Sequence, residues 1–200
     1  MGEDRGIRPG HGHGPDPGHG PDPGHGPDPG PGRNLDGDHD LDLERVTLLL
    51  GREPAAEVAV VLRRPDGEPS VIANPTFLRD GTPMPTRFWL VDRFLRPAVS
   101  RLESEGGVRA AEREVDPAAV AEAHARYAAL RDAEIPAGQG GPRPSGGVGG
   151  TRSGVKCLHA HLAWWLVGGD DPVGVWVAER LGVTRPAPGC ATMNGRPTDR

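Results

Sequence analysis

Lysine is all but missing from this 200-residue chain: Lys156 stands alone among 23 lysines and arginines. Cysteine is nearly as scarce, with two copies, Cys157 and Cys190. Two thiols are too few for a disulfide framework, and a reducing cytoplasm is the expected compartment. Long apolar runs are lacking. None approaches the ~18 residues that would cross a bilayer, and no cationic-then-apolar leader opens the sequence. Positive charge is in the minority, with a formal net charge of −5. That excludes a general attraction to nucleic acid or to an anionic membrane.

Glycine and proline are what the chain has in plenty. They make up 54 residues, 19 of them within the first 32 positions. There the hexamer His-Gly-Pro-Asp-Pro-Gly occurs three times in register, starting at His13, His19 and His25. Such a repeat is too short and polar for a solenoid unit, and it buries too little apolar surface to offset the entropy of ordering. Residues 1–34 are therefore expected to be a disordered tail, residues 35–182 a single domain, and residues 183–200 a loose C-terminal tail. A chain of this length has room for one domain with a real core.

Within that domain the pattern is mixed. Asp36, Asp38, Asp40 and Asp42 do not make an EF-hand loop, because Leu41 stands where the turn glycine belongs and Thr47 where the bidentate glutamate belongs. They read as acidic residues leading into a helix over 43–50, with Leu43, Val46 and Leu50 inward and Gly51 as its stop. Strands are expected at 57–63, 70–73 and 87–91, joined by Pro65-Asp66-Gly67 and Asp80-Gly81 turns into a small antiparallel meander. Helices follow over 95–105, with Gly106-Gly107 as the stop, and from Asp116-Pro117 to about 134, with Val120, Ala123, Tyr127 and Leu130 on the apolar face. The Gly/Pro/Ser-rich stretch 136–150 is either a flexible linker or a lid. A last helix opens at Asp171-Pro172, with Val173, Trp176, Val177 and Leu181 apolar, and Gly182 follows it. The fold class is α+β: a small antiparallel sheet packed against four to five helices.

Residues 149–166 concentrate the chemistry. Val155, Leu158, Leu162, Trp165 and Leu166 keep helical spacing, while Cys157, His161 and Trp164 gather on the other side. A helix with so little polar surface is buried on most sides, so 155–166 is expected to be the central helix. Its start is rich in Gly149, Gly150 and Gly154 and carries Arg152 and Lys156, cations where the helix dipole is already positive. A bound anion would reverse that penalty, which makes this stretch a candidate phosphate or carboxylate cradle. The plainer alternative is a snorkelling lysine beside a flexible loop. Asp80 and Arg87 are further pocket candidates, or ordinary turn caps.

Cys157, His159 and His161 suggest a thiol nucleophile with a histidine base, His161 lying one turn on. No metal site is expected. On a continuous helix Cys157 and His161 share a face, but His159 points about 160° away from Cys157, and Cys190, His124 and Asp80 carry no ligand spacing. Three of the four tryptophans, Trp164, Trp165 and Trp176, fall in the last two helices and offer a surface for a protein partner.

The segments D-G-T-P-M-P-T-R-F-W-L (80–90), V-S-R-L-E-S (99–104) and G-V-K-C-L-H-A-H (154–161) together resemble an uncharacterised actinobacterial family, domain of unknown function 501. K-C-L-H-A is the most specific part, and the resemblance covers about 43–181. It implies a bacterial, cytoplasmic protein associated with cell-division and central-metabolism genes, and it implies no established site residues or cofactor. The expected function is a binding or regulatory module for a small anion or phospholigand. The alternatives are a Cys/His-dependent hydrolase or transferase, or a protein-partner scaffold linked to cell division.

Overall fold

A computed structural model describes residues 1–2 and 35–186. The chain divides into two units, Met1–Arg33 and Asn34–Arg200, and every element below belongs to the second. Of the tail expected at 1–34, residues 3–34 with their histidine repeats lie outside the described residues, as does Cys190.

The β-branched segments form a three-stranded antiparallel meander: β1 (Ala59–Arg63), β2 (Pro69–Ala73) and β3 (Phe88–Leu90), in that spatial order. Gly67 closes the first turn with φ +86° and its N–H on the Arg64 carbonyl at 2.9 Å. The central strand β2 is buried throughout, because both sheet faces are covered. Ile72, with Val60 opposite it, packs with Val46 of α1 (Leu35–Leu50) on one face. Val71, with Leu62 opposite it, turns to the larger core on the other. Val60 and Leu62 would share a face in a regular strand; the register shift between them sends Leu62 to the second core.

The larger core is built by α2 (Leu95–Ser104), α3 (Gly107–Glu114), α4 (Pro117–Asp132), α5 (Leu158–Leu166) and α6 (Pro172–Leu181). With its short sheet and its helices the domain is α+β, as the sequence predicts. Helix α5 is central. It touches β3, α2 and α6, and buries Leu158, Ala160, His161, Leu162, Ala163, Trp164 and Leu166. The predicted caps hold. Asp116 accepts the Ala118 N–H at 3.0 Å, and Asp171 accepts those of Val173 and Gly174, each at 2.9 Å.

Several boundaries differ from the sequence expectation. Helix α1 begins eight residues before the expected start at 43, so the acidic run is part of the helix. Helix α3 was not predicted, because Gly106-Gly107 reads as a stop. Gly106 does end α2, at φ +89°, but Gly107 starts α3 at once. A Cβ at Gly107 would lie 2.6 Å from the Leu102 carbonyl oxygen, so only glycine lets the two helices abut this closely. In α4, Leu130 faces out at 41% exposure, and the inward place is taken by Arg131 at 1%. Arg131 donates to the Gly146 carbonyl at 2.7 Å and to Asp132 at 2.8 Å, tying the glycine-rich loop to α4.

The central helix also starts later than expected, at Leu158 rather than Val155. Gly149, Gly150 and Gly154 all have positive φ, and Cys157 is extended at φ −156°, ψ 121°; a 3-10 turn covers Val148–Gly150 and 151–157 is loop. The loop is anchored. His124 Nδ1 accepts the Val148 N–H at 3.0 Å, which leaves Nε2–H to donate to the Gly154 carbonyl at 2.9 Å.

Candidate functional site

β3 is an edge strand, and a cavity of about 560 Å³ lies beside it. Phe88 and Trp89 of β3 line it, together with Arg96 and Ser100 from α2 and Cys157 and His159 from the start of α5. Arg52, just past α1, and Lys156 add two more cations. Arg52 lies over the Trp89 ring at 5.5 Å and donates to the Glu53 carbonyl; Arg96 donates to the Leu49 carbonyl at 2.6 Å. Both partners are neutral backbone. Lys156 is exposed. Among the described residues none of these three cations pairs with a carboxylate. A second cavity, of about 330 Å³ between α1 and the β1–β2 turn, contrasts with this: both its cations are paired, Arg45 with Glu68 and Arg63 with Asp42, each at 2.5 Å.

Cys157 and His159 line the larger cavity, and behind them Glu103 brings a third, chemically distinct side chain to the same point. Glu103, Cys157 and His159 place one carboxylate oxygen, one sulfur and one ring nitrogen within 4.8 Å of one another. His159 Nδ1 is 3.7 Å from Cys157 Sγ and 3.2 Å from Glu103 Oε1. Its Nε2 faces the Arg96 carbonyl at 3.1 Å and Ser100 Oγ at 3.2 Å. Burial, and to a smaller extent Glu103, push the Cys157 thiol above its ordinary pKa, while the backbone N–H groups of His159 and Ala160 pull it down. At neutral pH Cys157 is a thiol.

This corrects the helical-wheel reading in two ways. Cys157 precedes the helix, so its side chain does not follow the 100° step, and His159 lies beside it rather than opposite. His161 is not its base. His161 is fully buried, with Nδ1 on Asp171 Oδ2 at 2.7 Å and the Asp171 side chain equally buried. That pair pins α5 to the cap of α6.

The anion cradle expected at the helix start is filled from within. The Leu158 N–H donates to Glu103 Oε1 at 2.6 Å and the Val155 N–H to Glu112 Oε1 at 3.0 Å. The chain supplies the anions that the helix dipole favours. Of the residues named for the cradle, Gly149 and Lys156 line the cavity, whereas Gly150, Arg152 and Gly154 do not. Gly150 backs onto Pro85, and Arg152 and Gly154 face solvent. Asp80 and Arg87 lie elsewhere. Asp80 caps its turn through the Thr82 N–H at 2.9 Å, and this bond holds its carboxyl below the usual range. Arg87 bridges the Asn74 carbonyl at 2.5 Å and Glu134 at 2.7 Å. The tryptophans are not a free surface: Trp164 and Trp176 are buried, and half-buried Trp165 lies under Arg185.

Sequence reasoning missed Arg52, Arg96, Ser100 and Glu103. The last three stand at i, i+4 and i+7 on α2, one helix face, and two of them lie in the V-S-R-L-E-S segment.

Fold and cavity define an α+β domain with a cation-lined pocket over a Cys/His/Glu cluster. The family described as protein of unknown function (DUF501) matches residues 60–179, and the chain belongs to that family. No curated protein and no solved structure matches it.

Proposed function

We propose that this domain is a binding or regulatory module for a small anionic ligand, phosphate or carboxylate in character, held in the cavity beside β3. One observation carries the reading. Arg52, Arg96 and Lys156 surround a single cavity, and none of them is neutralised by a carboxylate among the described residues. Charge-assisted bonds to an anion contribute about 1.5–3 kcal/mol each. Ser100 adds a hydroxyl, and Trp89 and Phe88 give the ligand an apolar wall. A cytoplasmic setting in an actinobacterium suits the reading: the chain has two cysteines, and no helix among the described residues is long and apolar enough to cross a membrane.

The test is thermal denaturation of the full chain against inorganic phosphate, nucleotides and acidic metabolites. A ligand at 100 times its Kd adds about 2.7 kcal/mol. Lys156 makes no hydrogen bond or ion pair among the described residues, and Lys156→Ala should weaken binding roughly 10- to 100-fold. Unchanged affinity in Lys156→Ala and Arg52→Ala would sink the reading.

A second reading, a hydrolase or transferase with Cys157 as nucleophile and His159 as base, rests on the 3.7 Å approach of Sγ to Nδ1. The raised thiol pKa counts against it. Alkylation of Cys157 at neutral pH faster than that of a free thiol would favour it over the binding module.

A further inference from the structure

We infer that Glu103, Cys157 and His159 form a mononuclear zinc-type metal site with an open coordination position facing the cavity. The inference goes beyond the anion reading and does not depend on it.

The hydrogen bonds orient the donor atoms of the cluster. A carbonyl oxygen only accepts, so the Arg96 carbonyl at 3.1 Å requires the proton of a neutral His159 ring to sit on Nε2. Nδ1 then carries a lone pair. That lone pair points at Glu103 Oε1, another pure acceptor, 3.2 Å away, and at Cys157 Sγ. Nitrogen, carboxylate oxygen and sulfur therefore turn toward one point, where a proton on the ring or the thiol satisfies them without metal and a cation would take its place. Three electron-rich atoms arranged in this way are what a cation requires.

The spacing agrees. A tetrahedral ion with bonds of about 2.0–2.1 Å to nitrogen and oxygen and about 2.3 Å to sulfur separates its ligands by roughly 3.3 Å (N to O) and roughly 3.6 Å (N to S). The N-to-O and N-to-S distances here are 3.2 Å and 3.7 Å, and all three donor atoms lie within 4.8 Å of one another. The outer contacts agree as well. Metal-bound imidazoles donate their other N–H to a carbonyl or carboxylate, and metal-bound carboxylates are themselves hydrogen-bonded. Here His159 has the Arg96 carbonyl and Glu103 Oε1 has the Leu158 N–H at 2.6 Å.

One thiolate, one imidazole and one carboxylate suit zinc rather than the oxygen-seeking magnesium or calcium. Binding forms the sulfur–metal bond and releases the thiol proton to solvent. Thiolate and carboxylate together then balance a divalent charge. Three protein ligands leave a fourth position for water or an anion, on the side where Arg96 and Lys156 line the cavity.

Cobalt(II) is the probe, because a thiolate–cobalt bond gives a charge-transfer band that histidine and carboxylate ligands cannot produce. The full chain is used with Cys190→Ser, so that Cys157 is its only sulfur donor of this kind, and with cobalt in excess over the histidines of the N-terminal repeat. The expected result is a charge-transfer band and intense tetrahedral visible bands, both displaced by zinc. Cys157→Ser should abolish the band and His159→Gln should abolish the tetrahedral pattern. Glu103→Gln keeps the Leu158 hydrogen bond and the fold, and should weaken binding at least tenfold. No band in the Cys190→Ser chain, or a spectrum unchanged by His159→Gln or Glu103→Gln, overturns the inference. A flat anion panel alongside intact cobalt bands would reject the anion module alone.

Discussion

Asp171 is where a single substitution should cost most. Its side chain, fully buried, accepts three hydrogen bonds: the Val173 and Gly174 N–H groups at 2.9 Å each and His161 Nδ1–H at 2.7 Å. Asp171→Ala removes the N-cap of α6, a loss of about 1 kcal/mol. It also strands a buried imidazole N–H, a further 1–3 kcal/mol or so. The expected total is about 2–4 kcal/mol, a fall in Tm of roughly 5–15 °C for a domain of this size. Asp171→Asn should lose less, since its carbonyl oxygen still caps both N–H groups. To accept from the asparagine amide, however, His161 would have to move its proton to Nε2, a buried atom with no partner among the described residues. The double change His161→Leu with Asp171→Ser removes the polar pair together and keeps a capping hydroxyl. It should therefore cost less than the sum of Asp171→Ser and His161→Leu. Urea denaturation at constant m-value measures each term. A loss under about 1 kcal/mol for Asp171→Ala would refute the reasoning, as would strictly additive losses.

Three further outcomes are expected. Tyr127 is the chain's only tyrosine, and burial pushes its phenol up to about 12. Stability from the neutral phenol is then full below the unfolded value near 10 and is lost as pH rises through the folded value. Phenolate absorbance should lag accordingly, and its appearance near pH 10 with far-ultraviolet circular dichroism intact would contradict this. Gly147→Ala would put a Cβ 2.3 Å from that of His124. It should destabilise by about 2–3 kcal/mol in chemical denaturation, and a neutral substitution would mean that the loop is not anchored there. In a Cys190→Ser chain free of metal, iodoacetamide should modify Cys157 more slowly than a small free thiol at pH 8, with the rate climbing above the ordinary thiol range because burial raises its pKa.

The fold was legible wherever a period or a cap carried the information. The β-branched runs, the Asp116-Pro117 and Asp171-Pro172 starts, and Gly51 and Gly182 as stops all depend on neighbours a few positions away. Helix α3 escaped because one glycine pair serves two physical roles, a left-handed stop at Gly106 and a close contact at Gly107. The cluster escaped for a different reason. Wheel arithmetic assumes a continuous helix, and three left-handed glycines with an extended Cys157 break it immediately before Leu158. That break alone moves His159 from the far side of the helix to within 3.7 Å of the thiol. The remaining partner, Glu103, approaches from another helix and a distant part of the sequence, where no local spacing can announce it. What the sequence did carry was the choice of residue types. Lys156, Cys157 and His159 stand within four positions in the most specific motif of the chain, and they meet at one cavity because the backbone there is not helical.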